Sequence, residues 1–451
     1  MDLLIRNGML VTTSETFVAD IGVEKGKIVS ITREINDQKA EMEIDATGKY
    51  VLPGALDVHT HLQMPFGGTI SSDGYFSGTR AALCGGTTTV FDFILQNFDE
   101  PMLDAFKRRN ALCEPEAACD YAFHIAVKDI HGSLLDTMED AVKAGIPTFK
   151  VFMVYDFGVT DGTFYQVLKK AQDIGARISV HAENNDMVNF LVKKYLSEGK
   201  TSAYDHYLSR PEFVEAEADH RAIQWAKSLN APLYIVHLAC KEGVEEVTKA
   251  RAEGYEIYAE TCPQYLAFTN EVYKGPNGRA FVCSPPIKGK ESQEALWDAI
   301  RRGTIDTIAT DHCPFNSFEK DWGKDDFSKI PNGCAGIENM YPYMLNAANV
   351  GKISFNKAVE LCASNPAKLF GCKQKGSLAV GKDADIVLYD PKKAVTITNE
   401  EMHSDCDHTI WEGIPLTGYP VATYLRGQLV YQDGKFLGKK GMGHFISRSL
   451  Q

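Results

Sequence analysis

Two textures of hydrophobic and polar positions divide the chain. Near each end, short apolar runs alternate with polar residues and break at glycine-containing turns. Leu3-Leu4-Ile5-Arg6-Asn7-Gly8 runs into one such turn, and Asp20 to Val29 carries the pattern of a hairpin. The same texture returns at Asp385 to Asp390 and at Ala422 to Tyr431. Two ends with one texture predict a small β-sandwich domain built from residues 1–52 and 375–451, with the middle of the chain inserted between them.

From 53 to 374 the pattern changes. Short apolar runs are separated by helical periodicity, which marks βα units feeding a parallel sheet. Eight strands are predicted: Ala55 to His59, Thr87 to Phe93, Tyr121 to Val127, Thr148 to Met153, Arg177 to His181, Leu233 to His237, Glu256 to Glu260 and Thr307 to Thr310. Helices are predicted between them, among them Met138 to Ala144, Ala218 to Leu229 and Lys241 to Glu253. Eight βα units make the fold class α/β, a (β/α)8 TIM barrel with the small β domain attached.

Composition narrows the function classes. The chain has 451 residues and a net charge of −13, with no basic run of the kind that follows a phosphate backbone. No nucleic-acid partner is expected. No stretch approaches the roughly 20 apolar residues of a membrane span, so no membrane partner is expected either. The start lacks the layout of a signal peptide. Eleven cysteines without a CxxC pair read as reduced and buried, so a cytoplasmic location is expected.

The chemistry sits at predicted strand ends. His59-Thr60-His61 closes the first strand, where residues i and i+2 share a face and two imidazoles can hold one metal ion. Lys150 lies within the fourth strand, His181 ends the fifth, His237 ends the sixth and Asp311 follows the eighth. Each alone has an ordinary explanation: a structural histidine, a snorkelling lysine, a helix-capping aspartate. Six such residues at the catalytic end of one barrel point instead to a shared site. Four imidazoles and a carboxylate suit divalent ions, Zn²⁺ first among them. They serve two ions only if something bridges the pair. A buried lysine has a depressed pKa, and its neutral amine can add CO₂ to become a carbamate that bridges like a carboxylate.

These motifs resemble the dihydropyrimidinase and hydantoinase group of cyclic amidohydrolases over essentially the full length. The resemblance is carried by Asp57 to Gly68, Gly85-Gly86-Thr87-Thr88-Thr89, Phe149 to Tyr155, Val180 to Asn184, Glu260 to Leu266, Cys283-Ser284-Pro285-Pro286, Ala309 to Phe315 and Ile330-Pro331-Asn332-Gly333. It implies a binuclear zinc site in which His59, His61 and Asp311 hold one ion and His181 and His237 the other. Carbamylated Lys150 and a hydroxide would bridge them. It further implies that Tyr155 stabilises the oxyanion and that Asp311 carries a proton to the leaving nitrogen. The main chain at Ser284 and Asn332 would hold the imide edge of the substrate ring. Ordinary alternatives are a rim aromatic for Tyr155 and turn residues for Ser284 and Asn332. Cys313 reads as packing rather than as a nucleophile.

The implied reaction opens cyclic ureides or imides, dihydropyrimidines or 5-substituted hydantoins, to N-carbamoyl amino acids. The segment 156–163 departs from many relatives in length and sequence. With Met64, Pro65 and Phe66 it is expected to shape the pocket for the exocyclic substituent, so dihydrouracil and phenylhydantoin are both open. Three rivals stand beside this reading. A dihydroorotase needs an arginine for the substrate carboxylate, and the chain has Leu62-Gln63-Met64 after His61. An allantoinase-like enzyme is the second. A non-catalytic scaffold of the same fold is the third, and such scaffolds lose metal ligands that this sequence retains. The resemblance also implies a homotetramer, with Trp411, Tyr419 and the tail from Phe436 to Gln451 either at subunit contacts or packed on their own barrel.

Overall fold

All eight predicted barrel strands form in a computed structural model that describes residues 1–35 and 39–450. They are β1 (Ala55–Thr60), β2 (Thr87–Leu95), β3 (Asp120–Ala126), β4 (Thr148–Phe152), β5 (Arg177–His181), β6 (Leu233–Ile235), β7 (Ile257–Thr261) and β8 (Thr307–Ile308). They lie side by side in chain order, each parallel to the next. Closure between β8 and β1 is made just beyond β8. Thr60 and His312 form a parallel bridge, and Thr310 donates from its backbone N and its hydroxyl to the Asp57 carboxylate at 3.1 and 2.5 Å. The strands are covered on both faces, which is why runs such as Thr87 to Leu95 are β-branched and aromatic rather than alternating.

Helix boundaries follow local chemistry. The helix predicted from Ala218 begins at Glu212, directly after Pro211, and ends at Leu229 with Asn230 in the left-handed region. The helix Asp161–Ile174 is capped by the Thr160 hydroxyl, which accepts from the backbone N–H of Thr163, and stops at Gly175.

The two chain ends pair as expected. Tyr50–Pro53 runs antiparallel to Ile386–Thr396 and parallel to Leu3–Val11, within one nine-stranded sheet. Leu3, Ile5, Ile21, Val51, Ile386 and Tyr424 pack into a core of their own. The apolar run from Tyr50 to Val58 is therefore two strands in two sheets. Gly54 is the joint: a Cβ there would lie 2.2 Å from the Thr88 hydroxyl oxygen, so only glycine lets the chain cross this close to β2.

Beneath the barrel, the buried Lys375 ammonium meets Asp120 of β3 at 2.5 Å, Asp385 at 2.8 Å and Asp383 at 2.9 Å. The tail runs back across the same end. Phe445 bridges to Tyr121, and the buried Arg448 donates to the carbonyls of Phe123 and Phe370 and to the Thr148 hydroxyl. Trp411 is buried against Phe268 and Tyr343, and Tyr419 is buried too. Trp411, Tyr419 and parts of the tail thus pack on their own chain, while Leu437 and Lys439 to Gly441 are exposed; Gln451 lies outside the described residues. All eleven cysteines are free and buried. Among the described residues no helix is long and apolar enough to cross a membrane.

Candidate metal centre

The six residues singled out in the sequence meet at the C-terminal mouth of the barrel. His59 lies on β1 with His61 two residues on, and both point to the mouth because side chains alternate along a strand. Lys150 occupies the centre of β4 and His181 the last position of β5. His237 comes two residues after β6 and Asp311 three after β8. Asp311 Oδ1 lies 3.1 Å from His59 Nε2 and 2.9 Å from His61 Nε2. Lys150 Nζ lies 2.9 Å from the same His59 nitrogen. His181 Nδ1 and His237 Nε2 face each other at 2.9 Å, and the rings of His59 and His237 stack at 5.4 Å.

Strain marks the site as well. His237 and Asp311 have φ of 40° and 52°, and Tyr155 has 77°. Left-handed backbone at a residue other than glycine costs about 1–3 kcal/mol and persists where surroundings over-determine it. Here the His237 backbone N–H is held by Glu260 Oε1 at 3.1 Å.

Side chains behind the site fix its tautomers. Glu260 Oε1 accepts a hydrogen bond from His59 Nδ1 at 2.7 Å, which leaves Nε2 to face Asp311 and Lys150. Glu183 Oε2 binds His181 Nε2 at 2.8 Å and is itself gripped by Arg210 at 2.5 Å. Burial opposes the Glu183 charge, yet Arg210 and His181 hold its carboxyl down to about 2. His181 is thereby turned with Nδ1 toward the cavity. These supporting residues were not assigned roles from sequence. Glu183 carries a weak signal, two residues beyond His181, and Glu260 is a buried acid closing an apolar strand. Arg210 carries none.

The protonation states suit a cation. Burial lowers the pKa of His61 to about 4 and that of His237 well below the usual range, so both are neutral near pH 7. Burial works against the Asp311 charge, but His59 and His61 hold it ionised. His59 is the exception: burial and Lys150 oppose its charge, and Glu260 with Asp311 raise its pKa overall. Burial pulls Lys150 from 10.5 to about 8, against the attraction of Asp311 and Glu260. Its ammonium sits over the rings of Phe93 and Phe152 at 4.4 and 4.7 Å. The ligand atoms of His59, His61 and Asp311 all lie within 4.8 Å of one another and could hold one ion. His181 Nδ1 and His237 Nε2 could serve a second, and His237 Nδ1 is buried without a partner. Nitrogen and carboxylate donors in these states fit Zn²⁺ or a similar ion.

His61, Lys150, His181, His237 and Asp311 line a chamber of about 50 Å³ together with Tyr155, Ser284 and Asn332. Beside it lies a cleft of about 1070 Å³, walled in part by Met64, Phe66, Phe152 and Phe157. Phe157 stacks on Tyr155 at 5.3 Å and Phe66 meets Tyr155 edge-on at 5.5 Å. Of the loop 156–163, Asp156 and Phe157 line the cleft, while its far end enters the helix from Asp161. Around Ser284, the neighbouring carbonyls are all occupied: Val282 by Lys320 and Gly333, Cys283 by His206, Pro285 by Tyr265. Among the described residues, the Ser284 carbonyl and the Asn332 peptide groups have no hydrogen-bond partner. Cys313 lines the chamber but is a buried thiol whose pKa burial raises, in keeping with packing.

Comparison with known proteins places this geometry. A profile of the amidohydrolase family matches residues 50–430. A D-hydantoinase of Geobacillus stearothermophilus is 41% identical over 457 aligned residues, covering 100% of this chain and 97% of that protein. A D-phenylhydantoinase of Escherichia coli O1:K1 is 37% identical over 99% of this chain and 98% of that protein. The crystal structure of dihydropyrimidinase from Brevibacillus agri superposes with a TM-score of 0.98 at 41% identity, covering 100% of this chain and 99% of that one.

Proposed function

The chain belongs to the amidohydrolase family, and from that premise we propose that it hydrolyses the ring amide of cyclic ureides, dihydropyrimidines or 5-substituted hydantoins, to N-carbamoyl amino acids. One observation carries the reading: six candidate donors from five strands meet at the barrel mouth, five of them lining one chamber and His59 in contact with Lys150 and Asp311.

His59, His61 and Asp311 would hold one ion and His181 and His237 the other. Lys150, after its neutral amine adds CO₂ and releases a proton, would bridge them as a carbamate. Two divalent ions so held would supply hydroxide near neutral pH and polarise a carbonyl. The rest is the work of the chain. Burial raises the Tyr155 pKa, so its phenol keeps its proton and can donate to the oxygen on which charge develops. Asp311, held ionised, takes the proton of the attacking hydroxide and passes it to the leaving ring nitrogen. The unpartnered main-chain groups of Ser284 and Asn332 receive the planar donor–acceptor edge of the ring. The cleft beyond Phe66 and Phe157 takes the exocyclic substituent; at about 1070 Å³ it matches the larger small-molecule sites. A homotetramer in the cytoplasm remains the proposed setting, on the resemblance and on the free, buried cysteines.

The test is ring opening by zinc- or manganese-loaded protein, followed side by side with dihydrouracil and 5-phenylhydantoin. Opening of 5-phenylhydantoin is expected, given the room beside the chamber. Metal-loaded protein that opens neither ring rejects this reading and favours another cyclic amide.

A further inference from the structure

Lys320 is a buried lysine that the reaction as proposed does not use. It ends the short helix Ser317–Lys320 and turns inward, 2% exposed. Its ammonium donates to the carbonyls of Val282 at 2.9 Å, Pro331 at 2.8 Å and Gly333 at 2.7 Å. An ammonium has three donors, and all three are spent. Among the described residues no carboxylate lies within salt-bridge distance of it, so its charge is met by the three carbonyl dipoles and, at 5.8 Å, the ring face of Phe315. Burial accordingly lowers its pKa. A buried cation without an anion is unfavourable, and a packing role would be filled by an apolar side chain at less cost.

The three acceptors give the residue its meaning. Val282 stands two positions before Ser284, while Pro331 and Gly333 flank Asn332 on both sides. The two segments are otherwise distant in sequence and are joined directly by the Gly333 backbone N–H, which donates to the Val282 carbonyl at 2.9 Å, and by weaker thiol contacts of Cys334. Gly333 is itself fixed: its φ is 149°, and a Cβ there would lie 2.1 Å from the Cys313 carbonyl oxygen. Lys320 occupies the carbonyls on either side of the groups that face the chamber and leaves those groups free.

We propose that Lys320 is a positioning residue, which sets the spacing between the main-chain groups of Ser284 and Asn332 and so fixes how a planar imide edge is held. This rests on the proposed function, in which those groups bind the substrate ring. Lys320 touches neither substrate nor metal ligand. Its loss therefore weakens ring binding and leaves the reacting groups in place.

The experiment compares zinc-loaded wild type with Lys320→Met, a side chain of similar length without donors, on whichever ring wild type opens faster. The expected result is a KM raised about tenfold with kcat within about threefold and bound zinc unchanged, the pattern of lost uniform binding. An unmoved KM, or a kcat that falls in step with bound zinc, overturns the proposal. Should the methionine variant fail to fold, Lys320→Arg is read by the same split. It keeps the charge but replaces three tetrahedral donors with a planar fork. Wild type that opens neither ring overturns the functional reading and this role with it, and that outcome is visible before any variant is made.

Discussion

Lys150 and Lys375 are both buried amines on or beside the barrel, one at its mouth and one at its base. Their surroundings drive them in opposite directions. Burial opposes the charge of Lys375, but Asp385, Asp120 and Asp383 outweigh it and raise its pKa. Among the described residues Lys150 has no carboxylate within salt-bridge distance; it meets a histidine nitrogen and two aromatic faces, and its pKa falls to about 8. Burial alone therefore does not decide what a lysine is for. Anions in contact make Lys375 a staple, and their absence leaves the Lys150 amine able to lose its proton and react.

The comparison breaks most sharply by exchanging the two losses. Lys150→Ala should leave a folded chain with less bound divalent metal and no measurable ring opening; elemental analysis showing full metal occupancy would remove its ligand role. Lys375→Met should do the reverse. Asp120 keeps Arg426 and Asp383 keeps Lys27, but Asp385 is left buried without a cation, which should cost about 3–5 kcal/mol of stability in denaturant unfolding, with metal per folded chain unchanged. A stability loss below about 1 kcal/mol would mean that Asp385 sheds its charge readily.

Titration sharpens the contrast. The Lys150 pKa is 10.5 when unfolded and about 8 in the native chain. Below about 8 both states hold the proton, and the penalty for burying it stands in full. Between about 8 and 10.5 the unfolded chain binds more protons, so native stability rises with pH. In CO₂-free buffer without metal, Lys150→Met should stabilise the chain at pH 7. That advantage should shrink towards pH 10, by up to about 3 kcal/mol. A gap that does not change with pH contradicts the depressed amine. Smallest is Tyr155→Phe, expected to lower kcat about 10²-fold with little change in KM. Equal kcat in steady-state assays would remove Tyr155 from oxyanion stabilisation.

The strands and the six converging residues were legible because a parallel barrel writes both in one place. Its strands are apolar on both faces, so His59, Lys150 and His181 stand out as polar exceptions, and strand polarity places them at one end. What the sequence did not disclose depends on partners far along the chain or on groups without side-chain identity. Arg210 grips Glu183 from 27 residues away. Lys320 bonds only to carbonyls, which every residue possesses. The break at Gly54 follows from the approach of Thr88, which no run of apolar residues announces.

The pairing of Tyr50–Pro53 with Ile386–Thr396 also sets a schedule. On a ribosome adding about 5–20 residues per second, the first strand waits roughly 15–70 s before its neighbour is synthesised. Throughout that interval the barrel can form from contacts between successive units, while the amino-terminal sheet keeps an open edge. Such an edge invites pairing with another nascent chain. A strand made late is thus what shields one made early.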